Sequence, residues 1–155
     1  MRKSRAKKRP LDPDPKYNDV MATRFVNTLL RRGKKTVAFN IFYDTIDKIS
    51  DQTKDSGFDI WKKAIENLMP SVEVKSRRIG GANFQIPTEV RPARKLALSM
   101  QWLIQYAKER NGKSMSDKLA AETIAASKGE GAAFKKKEDV HKMAEANKAF
   151  AHFRV

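Results

Sequence analysis

The chain has 155 residues, with 33 Lys and Arg against 18 Asp and Glu, for a formal net charge of +15. The length suits one domain, the 40% hydrophobic content supports a packed core, and zero cysteines exclude disulfides and thiolate metal sites. There is no run of 18 apolar residues to span a membrane and no apolar segment after the basic start to direct export, so a soluble, intracellular, basic domain with no membrane partner is expected.

Such a charge repels itself, and nucleic acid is the simplest large polyanion to relieve it. The charge is also unevenly placed. Residues 1–10 carry Arg2, Lys3, Arg5, Lys7, Lys8 and Arg9 with no acid. Residues 37–73 hold four bases and seven acids, a net −3 that leaves +18 elsewhere. One acidic section in a basic chain argues for an oriented cationic face rather than a uniformly solvated surface.

Residues 1–16 read as a basic arm, extended because Pro13 and Pro15 forbid a helix interior and disordered without its partner because it has little to bury. The remainder, 17–155, reads as one helical domain. A first helix fits 19–31, where Val20, Phe25, Val26 and Leu29 follow the 3.6 period and Gly33 supplies a left-handed cap. A second starts near Lys34 or Lys35, with Val37, Ile41, Phe42, Ile46 and Ile49 inward and Asp44, Asp47 and Asp51 outward. A third fits Asp59 to Met69, closed by Pro70.

The pattern then becomes extended. Val72 to Ile79 and Phe84 to Val90 flank the turn cluster Gly80-Gly81-Ala82-Asn83, which predicts a β-hairpin; Pro87 suits an exposed ribbon. Pro92 starts a fourth helix with Leu96, Met100, Leu103 and Ala107 as its stripe and Ala97 and Ile104 flanking it. A fifth, capped by Ser114 or Ser116, carries Met115, Leu119 and Ile124 inward; its polar and alanine content predicts shallow burial. A last helix runs from about Lys137 to Phe150, with Val140, Met143 and Ala144 on one face. The fold class is therefore mainly α: about six helices in one domain, one protruding hairpin and a basic N-terminal arm.

Sites for chemistry are weak by comparison. Gly33-Lys34-Lys35 fails as a phosphate loop, because position 28 is Thr and position 35 is Lys where Gly and Ser or Thr are needed. The two lysines at a helix start still suit a backbone phosphate, against the plainer reading of a solvated helix end. His141 and His152 lack companion ligands and read as surface or RNA-edge imidazoles; Asp44, Asp47 and Asp51 read as a solvated face; Trp61 and Trp102 read as core. No cofactor is expected.

The hairpin is different. Lys75, Arg77 and Arg78 on one strand and Arg91, Arg94 and Lys95 after the other oppose Glu73 and Glu89, a net +4 over 72–95. A ribbon with arginines on both faces suits a wide groove or a helix junction, since Arg makes planar, bidentate phosphate contacts. Phe84 near the tip either inserts against a base or packs on the body. Lys113 and the cluster Lys135-Lys136-Lys137 add further cations. Separated basic elements fit an irregular folded RNA better than a duplex read by one recognition helix.

Specific strings now become recognisable: Phe25-Val26-Asn27 to Gly33-Lys34-Lys35, Val72 to Gly81, Gln85 to Pro92, and Lys136 to His152. Over nearly its whole length the chain resembles bacterial-type ribosomal protein seven of the small subunit. That resemblance implies a helical domain with a β-ribbon, direct and early binding to the 3′ major domain of small-subunit ribosomal RNA, and nucleation of head assembly. It implies a cytoplasmic, ribosomal place near the messenger RNA exit path, facing the exit-site tRNA, beside small-subunit ribosomal proteins nine and eleven. It carries RNA contacts onto the arm, Lys34, Lys35, Lys75, Arg77, Arg78, Arg91, Arg94 and Lys95. Gly80, Gly81, Ala82, Asn83, Phe84 and Lys148 would lie toward the tRNA. The competing readings are a DNA-architectural ribbon protein and, more weakly, a nucleic-acid enzyme. Replacing Arg77, Arg78, Arg91 and Arg94 should weaken RNA binding more than replacing Lys48, Lys54, Lys62 and Lys63 of the acidic section.

Overall fold

The computed structural model describes residues 9–153, with Phe153 described by its backbone alone. The arm residues Arg2, Lys3, Arg5, Lys7 and Lys8 lie outside the described residues. In chain order the elements are α1 (Val20–Leu29), α2 (Lys35–Thr53), α3 (Gly57–Leu68), β1 (Val72–Ile79), β2 (Ala82–Glu89), α4 (Pro92–Glu109), α5 (Met115–Ser127), α6 (Ala132–Ala146) and a 3₁₀ helix (Lys148–Phe153). This is the mainly α class with one antiparallel hairpin that the periodicity predicts. The chain divides within α2 into two compact units, residues 1–40 and 41–155.

In the first unit the proline-rich segment is not a free extension. Asp14 is buried, and its carboxylate accepts the backbone N–H groups of Lys16 at 3.0 Å and Tyr17 at 2.9 Å. The Thr23 hydroxyl donates to the Asp12 carbonyl at 2.9 Å, so the expected boundary at residue 16 falls inside an ordered turn. Asp19 caps α1 by accepting the Met21 N–H at 2.7 Å. The helix ends at the extended Leu30, earlier than expected. Gly33 is left-handed as predicted, but with Arg32 it turns the connection (φ 73° and 52°) rather than capping α1. In α2, Val37 points outward at 51% exposure, and Ala38 replaces it at 4%. Ala38 lies four residues before the fully buried Phe42, so the stripe continues through it.

In the second unit, α2 supplies Phe42, Ile46 and Ile49 to the core, and Trp61 of α3 is fully buried. The Trp61 ring meets Phe42 edge-on at 5.3 Å and stacks on Phe58 at 5.5 Å. The α2–α3 turn is so tight that a Cβ at Gly57 would lie 2.3 Å from the Ile46 carbonyl oxygen, which only glycine tolerates. Met69 leaves α3 in an extended conformation, as the residue before a proline should.

α3, α4 and α5 pack on one another, with α6 against all three. Here the prediction of a shallow α5 is overturned: Ser116, Leu119, Ala120, Glu122, Thr123 and Ala126 are all buried. Small side chains let α3 and α4 approach closely, and the polar ones are satisfied inside. The Thr123 hydroxyl donates to the Leu119 carbonyl at 2.7 Å, and Glu122 pairs with Arg110 while accepting the Ala133 N–H at 2.8 Å. Ser114 caps α5 in a reciprocal capping box with Asp117. In α4, Ala97 is exposed rather than flanking the core. α6 starts at Ala132, so Lys135, Lys136 and Lys137 lie inside it rather than before it. Met143 faces out at 41% exposure while Ala144 packs inward, and the helix gives way to the 3₁₀ helix before Phe150.

The strands pair from Val72 opposite Glu89 to Ile79 opposite Ala82. The turn is two residues, Gly80 and Gly81, both at positive φ (57° and 91°), the geometry a tight hairpin needs. Ala82 and Asn83, expected in the turn, belong to β2. A lone ribbon is marginal in water; this one leans on α6 and the 3₁₀ helix.

Candidate nucleic-acid interface

Strand alternation divides the ribbon into two faces. Glu73, Lys75 and Arg77 share one with Phe84, Ile86 and Thr88; Ser76 and Arg78 share the other with Asn83 and Gln85. Arginines therefore stand on both faces, as the spacing predicts. The first face is closed at its base, where Ile86 and Glu73 are buried, while Lys75, Arg77 and Arg78 are exposed.

Glu73 organises that base. The Arg94 Nε, from the first turn of α4, donates to it at 2.8 Å, and the Lys75 ammonium lies 3.3 Å from its other oxygen. Burial by itself pushes the carboxyl pKa up; hydrogen bonds and charge from Arg94 and Lys75 together outweigh it and hold the pKa below its usual value. One buried anion thus gathers two of the six ribbon cations. Arg91 precedes Pro92 at the start of α4, and its carbonyl accepts the N–H groups of Arg94 at 2.9 Å and Lys95 at 3.0 Å. The positive end of the α4 dipole therefore carries three cations and no acid in its first turn, a combination that an anionic ligand relieves.

Phe84 packs on the body: its ring lies 5.3 Å from that of Phe150 in the 3₁₀ helix. Gly80, Gly81, Ala82 and Asn83 remain exposed at the tip, and Lys148 is exposed in the 3₁₀ helix. Within the first unit, Lys34 and Lys35 are exposed beside Arg31 and Arg32, and α2 also begins without an acid in its first turn. Lys113 is exposed in the α4–α5 connection, and Lys135 is exposed on α6. Lys137 turns inward: its ammonium donates to the Asn67 carbonyl at 2.6 Å and lies 5.3 Å from the Phe134 ring. It closes the C-terminal end of α3, and burial lowers its pKa against the opposing charge of Glu138.

Two further residues do more than their sequence context indicates. The His141 Nε2 accepts the Ser71 N–H at 3.1 Å, which requires a neutral ring and gives this half-exposed imidazole a structural bond joining α6 to the approach to β1. Lys48, expected to be background charge, donates to the Ser116 hydroxyl at 2.8 Å and pairs with Asp117. The Lys48 hydrogen bond, then that of Ser114, depresses the Asp117 carboxyl to about 2. Glu73 carried one usable signal, its i, i+2 spacing to Lys75 on a strand. The long-range pairs of Lys48 and His141 had none.

Asp44, Asp47 and Asp51 are exposed, and among the described residues no group of three or more His, Cys, Asp or Glu is arranged to hold a metal. No helix among the described residues is long and apolar enough to cross a membrane.

Comparison with known proteins places the chain in a family. The family model described as "Ribosomal protein S7p/S5e" matches residues 1–148. The small ribosomal subunit protein uS7 of Cytophaga hutchinsonii is 61% identical over 154 residues, 99% of each chain. Those of Christiangramia forsetii and Flavobacterium psychrophilum are 60% and 59% identical over 157 residues, again 99% of each chain. Identity this high along nearly the full length, on a helical fold carrying a cationic ribbon, means that the chain belongs to the ribosomal protein S7p/S5e family.

Proposed function

We propose that this chain is a non-enzymatic structural constituent of the small ribosomal subunit that binds ribosomal RNA through its ribbon, the first turn of α4, the Lys34–Lys35 helix start and the basic arm. The observation that carries the reading is the full-length relation to small-subunit proteins, joined to six cations against two acids over 72–95. In finer detail, the chain is a primary binder of the 3′ major domain that nucleates assembly of the subunit head. The ribbon tip from Gly80 to Phe84, with Lys148, faces the exit-site tRNA near the messenger RNA exit path, and small-subunit proteins nine and eleven are its neighbours. Exposure of the tip and of Lys148 supports this orientation.

The test is binding to a transcript of the 3′ major domain over a salt series. If roughly eight phosphates are neutralised, log K against log salt should fall with a slope of about −6 to −7. A near-flat response rejects the reading. Footprinting on the same RNA locates the contacts. A DNA-architectural role is favoured instead if duplex DNA displaces the folded RNA at matched salt.

A further inference from the structure

A carboxylate beside a phosphate-binding surface is ordinarily a liability, because it repels the ligand and neutralises a cation. Glu73 is placed differently. Its side chain is 11% exposed at the closed base of the ribbon, while those it holds, Lys75 and Arg94, are 61% and 58% exposed. The anion is therefore covered and the cations are not. The guanidinium offers five donors in a planar fork, and Glu73 takes the Nε donor, at 2.8 Å. The terminal Nη groups form the bidentate edge that suits a phosphodiester. Two flexible side chains, one two residues along β1 from Glu73 and the other 21 residues away in α4, are thus held on one anchor before any ligand arrives.

We propose that Glu73 is a positioning residue for RNA phosphate: it fixes Arg94 through Nε and Lys75 through its ammonium, so that both meet one stretch of RNA backbone already ordered. This rests on the ribosomal RNA reading above and names the residue that organises its densest contact. Two effects of Glu73 oppose each other. Its negative charge weakens phosphate binding through a screened, short-range repulsion. Its anchoring removes the ordering cost of two rotamer-rich side chains, and this second effect is the larger.

The full-length chain, its E73Q and R94K variants, and the E73Q/R94K double variant are titrated with a transcript of the 3′ major domain across a salt series. E73Q should bind about fivefold to tenfold more weakly at every salt concentration, although it removes a negative charge. R94K, which keeps the charge and loses the fork, should lose a similar factor, and the double variant should lose little more than either single change. R78Q, on the opposite face, should cost the same factor with or without E73Q; a cost that shrinks in the E73Q background would mean a collapsed ribbon and would overturn the proposal. Tighter or unchanged binding by E73Q also overturns it. If E73Q does not fold by circular dichroism, R94K decides, since its side chain is mostly exposed: unchanged affinity rejects positioning, and a fivefold loss upholds it. A steep salt response in the wild type with tighter binding by E73Q sinks this inference alone, whereas a flat wild-type response sinks the RNA reading with it.

Discussion

Glu122 and Glu73 are both buried glutamates bonded through the Nε of an arginine, yet they belong to opposite kinds of region. Glu122 is fully buried at the centre of α5; one oxygen pairs with Arg110 at the end of α4 and the other accepts the Ala133 N–H at the start of α6. Three helices meet on that carboxylate, and each oxygen has a partner inside the protein. Glu73 sits at the edge of a two-stranded ribbon, and both of its partners stand largely in water. The same chemistry serves cohesion in one place and display in the other. The carboxylate's second partner and the cover on the cation decide which: Glu122 is fully buried, its other oxygen is taken by a backbone N–H and Arg110 is two-thirds covered, whereas the more exposed Arg94 and Lys75 keep their hydration and remain open to exchange for phosphate.

The contrast predicts a graded series of effects. Glu122→Ala should be the most damaging single change, lowering unfolding free energy by about 2–3 kcal/mol in urea denaturation, because the buried Ala133 N–H loses its acceptor and the partly covered Arg110 loses its partner. Its RNA salt slope should be unaltered wherever the variant is folded. Combined replacement of Arg77, Arg78, Arg91 and Arg94 by Gln should do the reverse: a smaller loss of stability, confined to the ribbon base where Glu73 keeps only Lys75, and a salt slope shallower by about 3. A control replacing Lys54, Lys62, Lys63 and Lys128 should change the slope by less than about 1. Lys48 is omitted from that control because its bonds to Asp117 and Ser116 make it structural. Equal losses in the two sets would mean that bulk charge alone governs binding.

Phe84→Ala should cost about 1 kcal/mol locally, through loss of the Phe150 ring contact. It should appear as faster amide exchange in β1 and β2, with the α3–α5 core unaffected. The smallest effect concerns His141. Burial, then the charge of Lys137, lowers its pKa from the ordinary 6.5, so the unfolded chain takes up the proton first as pH falls. Its contribution to stability is complete above 6.5 and is lost as pH drops from there through the folded value. The melting midpoint of the wild type should therefore fall more between pH 7.5 and 5 than that of His141→Ala.

Reading the chain in one dimension succeeds where the cause is local. Alternating charge and apolar runs define the ribbon, Gly80-Gly81 can take the positive φ values of a tight turn, and Pro92 suits a first helical turn. The phase of α2 at Val37 is ambiguous in the sequence because an apolar side chain at a helix start fits either of two adjacent stripes. The depth of α5 is not legible in its composition, because alanine content measures how little a residue gains from burial, not how closely it lets neighbouring helices approach.

Length, charge partition, helix periods and family strings determined by themselves that this is a basic, mainly α, ribosomal-type chain with a cationic hairpin, because each is a property of neighbours along the backbone. Which cations stand open, which are bound inward and which share an anchor was decided in three dimensions. Arg94 meets Glu73 across 21 residues, Lys48 meets Asp117 across 69, and Lys137 meets the Asn67 carbonyl across 70. Only packing brings such groups within hydrogen-bonding distance, and at that range a charge stops being a count and becomes a contact.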